Sequence, residues 1–389
     1  MFKAYKIPIE APRDLIEAYF EVKRKALREI LSHIIYSQTG KAHLDFRADE
    51  RRELRNRLLK DWRYSKHYID SVINSVIGLV KGWIKLYNRG KAKSSPEITK
   101  KTVYIKNNLF SYKNGVLKIS IEPRRRHLEV DLRRYDYLPK DFDSIGGLVL
   151  TEGELIITFK KLAKNVKPKK WASFDVNLTN ITALINEKIV RYDVRQLYHI
   201  HRVYEIKRRK IQKLAGHKPK TAERLMEKYS RRERSRAGDF MHKLTTEIAR
   251  ELSKMESGAI LENLKNIKSR ALHKSKNLNR KLSKWNARMF QSKLEYKLKW
   301  LGLPVKYVNP KNSSKTCPLC SGRMATYGGR LMKCLKCGLV LDRDAVAVLN
   351  LQMWGSGATL KALLEAPASM MGKRLIDQNP QISMKVYQP

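Results

Sequence analysis

The sequence predicts a multidomain α/β protein. An N-terminal antiparallel β-barrel with an inserted helical bundle precedes a second α/β domain that carries a four-cysteine metal module. Three observations predict this. The chain has 389 residues, 42% of them hydrophobic, which suits two or three cores at ~150 residues per domain. Its apolar residues recur with period two, then at three- and four-residue spacing, then with period two again. Its four cysteines form two pairs, Cys317-x2-Cys320 and Cys334-x2-Cys337, a spacing of metal ligands in a reducing compartment rather than of disulfides.

Phe2 to Ile9 alternates and reads as one strand, with Pro8 placing it at a sheet edge. From about Pro12 to Leu86 the pattern is helical. DLIEAYFEVKRKALREILSHIIYSQ and SKHYIDSVINSVIGLVKGWIKLY carry the apolar stripe, and Ser65 is the expected cap of the second. NRGKAKSSPEITKK (88–101) is loop chemistry. TVYIK, LFSYK, GVLKISIE, HLEVDLRR, GLVLTEG and ELIITFKKL then alternate as short strands, with Asn114-Gly115 as a hairpin turn. The barrel therefore covers 1–11 plus 95–168, and the bundle 12–94.

A lysine-rich link (160–170) leads to the hydrophobic strand stretch WASFDVNLTNITALINEKIVRYD, which opens the second domain (169–302 plus 341–366). Arg195 to Arg236 is helical and holds 15 Lys+Arg against 4 Glu. A further helix (239–256), a short strand GAILENL, a long helix (about 281–301), the cysteine module (303–340) and a last helix from about Ala345 follow. The tail, 367–389, is weakly patterned, a composition compatible with disorder.

Charge bounds the partner. Against 82 Lys+Arg stand 37 Asp+Glu, a net +45 spread along the chain. A small-metabolite enzyme has no use for such a field; nucleic acid, with one charge per ~1.7 Å of duplex axis, does. An anionic membrane is the alternative, but no apolar run nears the ~18 residues of a span and the N-terminus is no signal peptide, so a soluble, cytoplasmic protein is expected. Within the basic run, Arg202, Lys207, Arg208, Arg209, Lys210, Arg231 and Arg232 are candidates for phosphate contacts; a solvated helix face is the plainer reading. Tyr192, Tyr198, His201 and Tyr204 either stack on bases or belong to the helix core.

Two sets of residues carry chemistry. The two knuckles are expected to bring four thiolates to one tetrahedral Zn²⁺, with Gly322 and Gly338 easing the knuckle turns; with all four positions used, the zinc is structural. Carboxylates are scarce, so those in apolar strands stand out: Asp175 in ASFDVNLTNITALI, Glu262 in GAILENL and Asp344 in GLVLDRDAVAVLNL. Each alone is compatible with a helix cap or an ion pair. Together they suit a two-metal nuclease, in which hard oxygen ligands hold two Mg²⁺ ~3.5–4 Å apart.

In the order of these motifs the C-terminal half, roughly 170–352, resembles TnpB, the OrfB-type protein of insertion sequences, itself similar to the miniature type V CRISPR effectors. FDVNLTN resembles the first RuvC motif, AILENLKNI the second, and CGLVLDRD the third, entered from a zinc ribbon that follows VNPKNSSKTCPLC. DFMHKLTTEIA, NRKLSKW and YKLKWLG resemble the intervening helices. The resemblance implies an RNase H-like (RuvC) domain, a wedge barrel with an inserted recognition lobe, and metal ligation by Asp175, Glu262 and Asp344. It also implies a guide RNA from the transposon end and a double-stranded DNA target beside a short flanking motif. The oligomeric state stays open. Asn177 stands where the family usually has glycine, a residue type that tolerates positive φ. Val346 replaces an asparagine of the third motif and Val348 an alanine; loss of the asparagine, a residue suited to orienting the metal shell, leaves the effect on activity open and the three carboxylates intact. A nuclease-inactive RNA-guided repressor and a strand-transferring transposase remain as other readings.

Overall fold

The computed structural model describes residues 1–92, 94–163, 165–264, 275–359 and 383–385. The chain divides into two units, Met1–Leu162 and Ala163–Pro389. In the first, β1 (Phe2–Pro8) pairs antiparallel with β9 (Glu154–Lys160), β9 with β8 (Ser144–Leu150), and β8 with β4 (Val103–Ile105). Pro8, without an N–H to donate, sits on the edge strand as expected. A 3-10 turn at Asn107–Leu109 carries the chain out of this sheet into a separate one of β5 (Phe110–Lys113), β6 (Val116–Glu122) and β7 (Arg126–Asp131). Asn114 and Gly115 both take positive φ, 50° and 82°, in the β5–β6 hairpin. The predicted closed barrel is not found. Among the described residues β1 and β4 remain edges of a four-stranded sheet, and the three-stranded sheet pairs with neither.

Between β1 and β4 lie α1 (Arg13–Ser32), β2 (Ile34–Tyr36), β3 (Ala42–Leu44), α2 (Ala48–Leu59) and α3 (His67–Tyr87). α1 and α3 meet through buried Tyr19 and Tyr68, edge to face at 6.3 Å. The first helix stops at Ser32, short of expectation, because the β-branched Ile34–Ile35 pairs with His43–Leu44 in a hairpin. Nor does the Ser65 side chain cap α3: the N-cap is Lys66, and it is the Ser65 carbonyl that accepts the Tyr68 N–H at 3.0 Å.

The second unit is built on a six-stranded sheet whose strands lie in the spatial order 305–308, 257–262, 170–176, 180–185, 188–193 and 383–385. β10 (Lys170–Val176), β11 (Asn180–Ile185) and β12 (Lys188–Asp193) form an antiparallel meander. β13 (Ser257–Glu262) lies parallel to β10, β14 (Val305–Val308) to β13, and β18 (Ser383–Lys385) to β12. The tail thus supplies one strand; its other residues beyond 366 lie outside the described residues.

α4 (Arg195–Leu214) is followed by α5 (Pro219–Lys254), one 36-residue helix. The expected break near 237–239 is absent, since an isolated Gly238 is tolerated, and the chain breaks at Ala215–Lys218, with Pro219 opening α5. The single helix expected over about 281–301 is two, α6 (Lys276–Lys284) and α7 (Ala287–Trp300), split at Trp285–Asn286. α8 (Arg343–Ser356) closes the described helices.

Strand alternation assigns the faces. Ala172, Phe174 and Val176 share a core with Phe240, Met241 and Leu244 of α5 and Phe290, Leu294 and Leu298 of α7. Ser173, pointing the other way, donates to the Val348 carbonyl of α8 at 2.7 Å. On the same side Gly355 lets α8 approach β13 so closely that an added Cβ would lie 2.7 Å from Ile260 carbons. No helix among the described residues is long and apolar enough to cross a membrane.

Candidate active centre and four-cysteine ribbon

The same parity puts the acidic residues together. Asp175 is two residues on from Ser173, and Glu262 two on from Ile260, so both point toward α8, whose first turn carries Asp344. Glu262 and Asp344 are 7% and 2% exposed. Burial, then the Asp344 charge, raises the Asp175 pKa; burial, then the Asp175 charge, raises that of Glu262 to about 8. Two carboxyl groups that resist sharing negative charge, beside the carboxylate of Asp344, are a donor set that a divalent cation would relieve.

Neighbours fix each carboxylate. Asn177 Nδ2 donates to Asp175 Oδ2 at 2.8 Å, and the Val176 N–H to Glu262 Oε2 at 3.4 Å. Asn177 does not adopt the positive φ expected of it; its use is the hydrogen bond. Asp344 Oδ2 faces Asn180 Nδ2 at 3.2 Å, Thr182 Oγ1 at 3.5 Å and the Arg191 guanidinium at 3.7 Å. Arg330 also donates to it. Asp342 caps α8, accepting the Asp344 N–H at 2.9 Å. Val346 and Val348 are fully buried in the apolar layer with Leu184 and Ile189. Two further supports were invisible in the sequence: Gln291 Nε2 donates to the Glu262 carbonyl at 2.8 Å, and the Trp285 indole to that of Val176 at 2.9 Å.

The cysteine module is a three-stranded sheet of β15 (Met324–Gly328), β16 (Leu331–Cys334) and β17 (Val340–Asp342), the last running into α8. The four sulfurs lie within 4.8 Å of one another, the one set of three or more metal-ligating side chains among the described residues that does. Cys317 and Cys337 sulfurs are 3.6 Å apart, those of Cys320 and Cys334 3.5 Å. A tetrahedral ion ~2.3 Å from each sulfur sets that separation near ~3.8 Å, so the donors fit zinc. The Cys337 and Lys336 N–H groups hold the Cys334 thiol below its usual range. Gly338 has a positive φ of 75°, and a Cβ on Gly322 would meet the Cys320 and Cys334 sulfurs at 3.2 Å, so both glycines serve the knuckles.

Of the basic candidates, Arg202, Lys207, Arg208, Arg209 and Lys210 lie on α4, and Arg231 and Arg232 on α5. Arg208 pairs with Glu233, and Arg209 with Glu205 at 2.6 Å, so these two serve the chain itself. Lys207 lies over the Tyr204 and Tyr229 rings. Arg231 and Arg232 line a cleft of about 430 Å³ with Tyr204, Ser235 and Arg236. Tyr192 and Tyr204 are core, 1% and 3% exposed, and are no stacking platforms. His201 is held between Glu233 at 2.8 Å and Asn286 at 2.9 Å.

In the first unit a cleft of about 870 Å³ between α3 and the β4–β8 pair collects Asn74, Tyr104, Lys106, Asn107, Asn108 and Thr158.

The fold is similar to that of solved Cas12-type proteins. The chain superposes on Cas12f1 in a solved complex with sgRNA and target DNA at TM-score 0.57 and 16% identity, covering 87% of this chain and 81% of that one. Residues 15–120 match the uncharacterized protein MJ0013 family, 152–271 the OrfB family described as a probable transposase, and 288–351 the Cas12f1-like TNB domain. It is 38% identical over 259 residues to the TnpB-like protein MJ0751 of Methanocaldococcus jannaschii, spanning 62% of this chain and 92% of that one. To the TnpB-like protein MJ1635 of the same organism it is 30% identical over 333 residues, 84% and 78% of the two chains. With the CRISPR-associated endodeoxyribonuclease Cas12f1 of an uncultured archaeon it shares 27% over 232 residues, 55% of this chain and 42% of that one. The chain belongs to the TnpB-like family, relatives of the miniature type V effectors.

Proposed function

We propose that this protein is the RNA-guided DNA endonuclease of a transposable element, cutting phosphodiester bonds at a RuvC-type centre formed by Asp175, Glu262 and Asp344. The observation that carries the reading is their convergence: buried Glu262 and Asp344 and half-buried Asp175, from β13, α8 and β10, on one side of one sheet, in a chain of net charge +45. The relatives named for endodeoxyribonuclease activity and for complexes with sgRNA and target DNA support it.

The three carboxylates would hold two Mg²⁺. Bound there, the ions supply Lewis acidity to the phosphodiester and a hydroxide nucleophile at neutral pH. The chain's own residues set the geometry. Asn177 orients Asp175, the Val176 N–H orients Glu262, and Asn180 and Thr182 fix Asp344 on its inner side. Trp285 holds the carbonyl beyond Asp175, so the strand end cannot fray. The four cysteines would hold a structural Zn²⁺ that keeps the ribbon folded.

A guide RNA from the element's end would supply sequence recognition by base pairing, and the protein would read duplex shape and a short flanking motif. The first unit would serve as wedge and recognition lobe. Its cleft of Asn74, Asn107, Asn108 and Lys106 offers the amide donors and acceptors that read base edges. Arg231, Arg232 and Arg236 would hold phosphates.

The test is to co-express the protein with its flanking element sequence, recover bound RNA, and present a matched duplex with a randomised flank in Mg²⁺. Guide-dependent cleavage, lost in Asp175→Ala, Glu262→Ala and Asp344→Ala, is expected. Guided binding without cleavage by the native chain would make it a repressor, and joining of element ends a transposase.

A further inference from the structure

One side chain at the acidic centre comes from the ribbon. Arg330 follows Gly329 in the β15–β16 turn, and its guanidinium donates to Asp344 Oδ2, while its Nε lies 3.4 Å from Asp342 Oδ2. Its backbone is tied to the same place: the Arg343 N–H donates to the Arg330 carbonyl at 2.9 Å, and Leu331 pairs with Asp342. The turn that bears Arg330 is thereby stitched to the strand that delivers Asp344.

Asp344 Oδ2 is oversubscribed. Asn180, Thr182, Arg191 and Arg330 all crowd it, and one carboxylate oxygen has two lone pairs. A cation can bind that oxygen only if a donor leaves. Asn180, Thr182 and Arg191 belong to β11 and β12, strands paired on both sides within the sheet, and the Arg191 side chain is 19% exposed. Arg330 stands on a turn, and its side chain is 55% exposed, the most open to water of the four donors. The carboxylates, unlike the cysteines, do not form a set with all ligand atoms within 4.8 Å of one another.

We propose that Arg330 competes with a divalent cation for Asp344: its guanidinium and the cation would take the same carboxylate oxygen, so Arg330 must swing out before an ion is held there. The ribbon, through this residue, sets the affinity of the acidic centre for its ions. The inference rests on the reading that Asp175, Glu262 and Asp344 bind divalent metal.

Mn²⁺ titration of the zinc-loaded full chain, followed by calorimetry and by the Mn²⁺ paramagnetic signal, tests it. Losing one charge-assisted hydrogen bond, Arg330→Ala and Arg330→Gln should bind Mn²⁺ ~10-fold tighter, while Arg330→Lys, which keeps a cation, falls between. The gain should vanish when Asp344→Asn is added. Unchanged or weaker Mn²⁺ binding in both Arg330→Ala and Arg330→Gln, with zinc content retained, overturns the role of Arg330 and leaves the metal site standing. Native protein that binds no Mn²⁺ through Asp175, Glu262 and Asp344 overturns both.

Discussion

Replacing Glu262 by glutamine should make the ion-free protein more stable while destroying its activity. The side chain is 7% exposed and has one backbone donor, the Val176 N–H, which a glutamine oxygen can still accept. Burial, helped by the Asp175 charge, lifts its pKa from 4.5 to about 8. A carboxyl whose folded-state pKa lies above its unfolded value binds its proton more tightly in the native state. The native chain therefore loses stability as pH rises from about 4.5 toward about 8. At 1.36 kcal/mol per pKa unit the ceiling is ~4–5 kcal/mol; with Asp175 sharing the cost, ~2 kcal/mol is the working figure. For a unit of this size that is ~4–8 °C in Tm. Thermal melts of zinc-replete protein without added Mg²⁺ should place Glu262→Gln above the native chain at pH 8, with the gap closing toward pH 5. Added Mg²⁺ should raise the native Tm and leave the variant unmoved. A variant that melts at or below the native chain at pH 8 refutes the reasoning, since a buried carboxylate without a cation would then cost nothing.

Gly355→Ala should lower the Tm through ~1–3 kcal/mol of overpacking, because the new methyl meets Ile260 at 2.7 Å between α8 and β13; calorimetry measures it. Cys334→Ser should abolish stoichiometric zinc by elemental analysis and expose the 317–337 segment to protease, since a structural zinc site supplies ~10–16 kcal/mol of apparent binding energy. The double substitution Arg231→Ala, Arg232→Ala should weaken binding to unrelated RNAs alike and lower the salt-dependence slope by ~1–2, seen by titration at several ionic strengths.

What the sequence discloses is local. The Pro8 edge, the Asn114-Gly115 turn and the two knuckles are each encoded within a few residues, and each is found where the residues put it. Asp175 and Glu262 stand out because an acid in an apolar strand is costly, and the shared parity with Ser173 and Ile260 brings them to one side. The misread features depend on what lies far away in the chain. Ile34–Ile35 continues a helical stripe until His43–Leu44 offers it a strand partner. Tyr192 and Tyr204, left open in the sequence between base stacking and the core, are decided for the core only by the burial of the folded chain. Closure of the barrel required strands 1 and 4 to find partners, and a short 3-10 turn sends the chain elsewhere. Arg330 carries no mark in its own neighbourhood, because its meaning comes from the ladder that lays β16 beside β17.

The length of α5 has a mechanical consequence. At 1.5 Å per residue its 36 residues span about 54 Å, far more than the sheet beneath them needs. Its second half is anchored through Ala237, Phe240, Met241, Leu244, Ile248 and Leu252; in the first half only Ala222 is buried. The helix is thus two cooperative regions in one rod, a clamped base and an arginine-bearing arm held chiefly by its seam with α4. Amide exchange should step downward in protection near Ala237, so the arm can melt and re-form around a polyanion at little cost while the acidic centre keeps its shape.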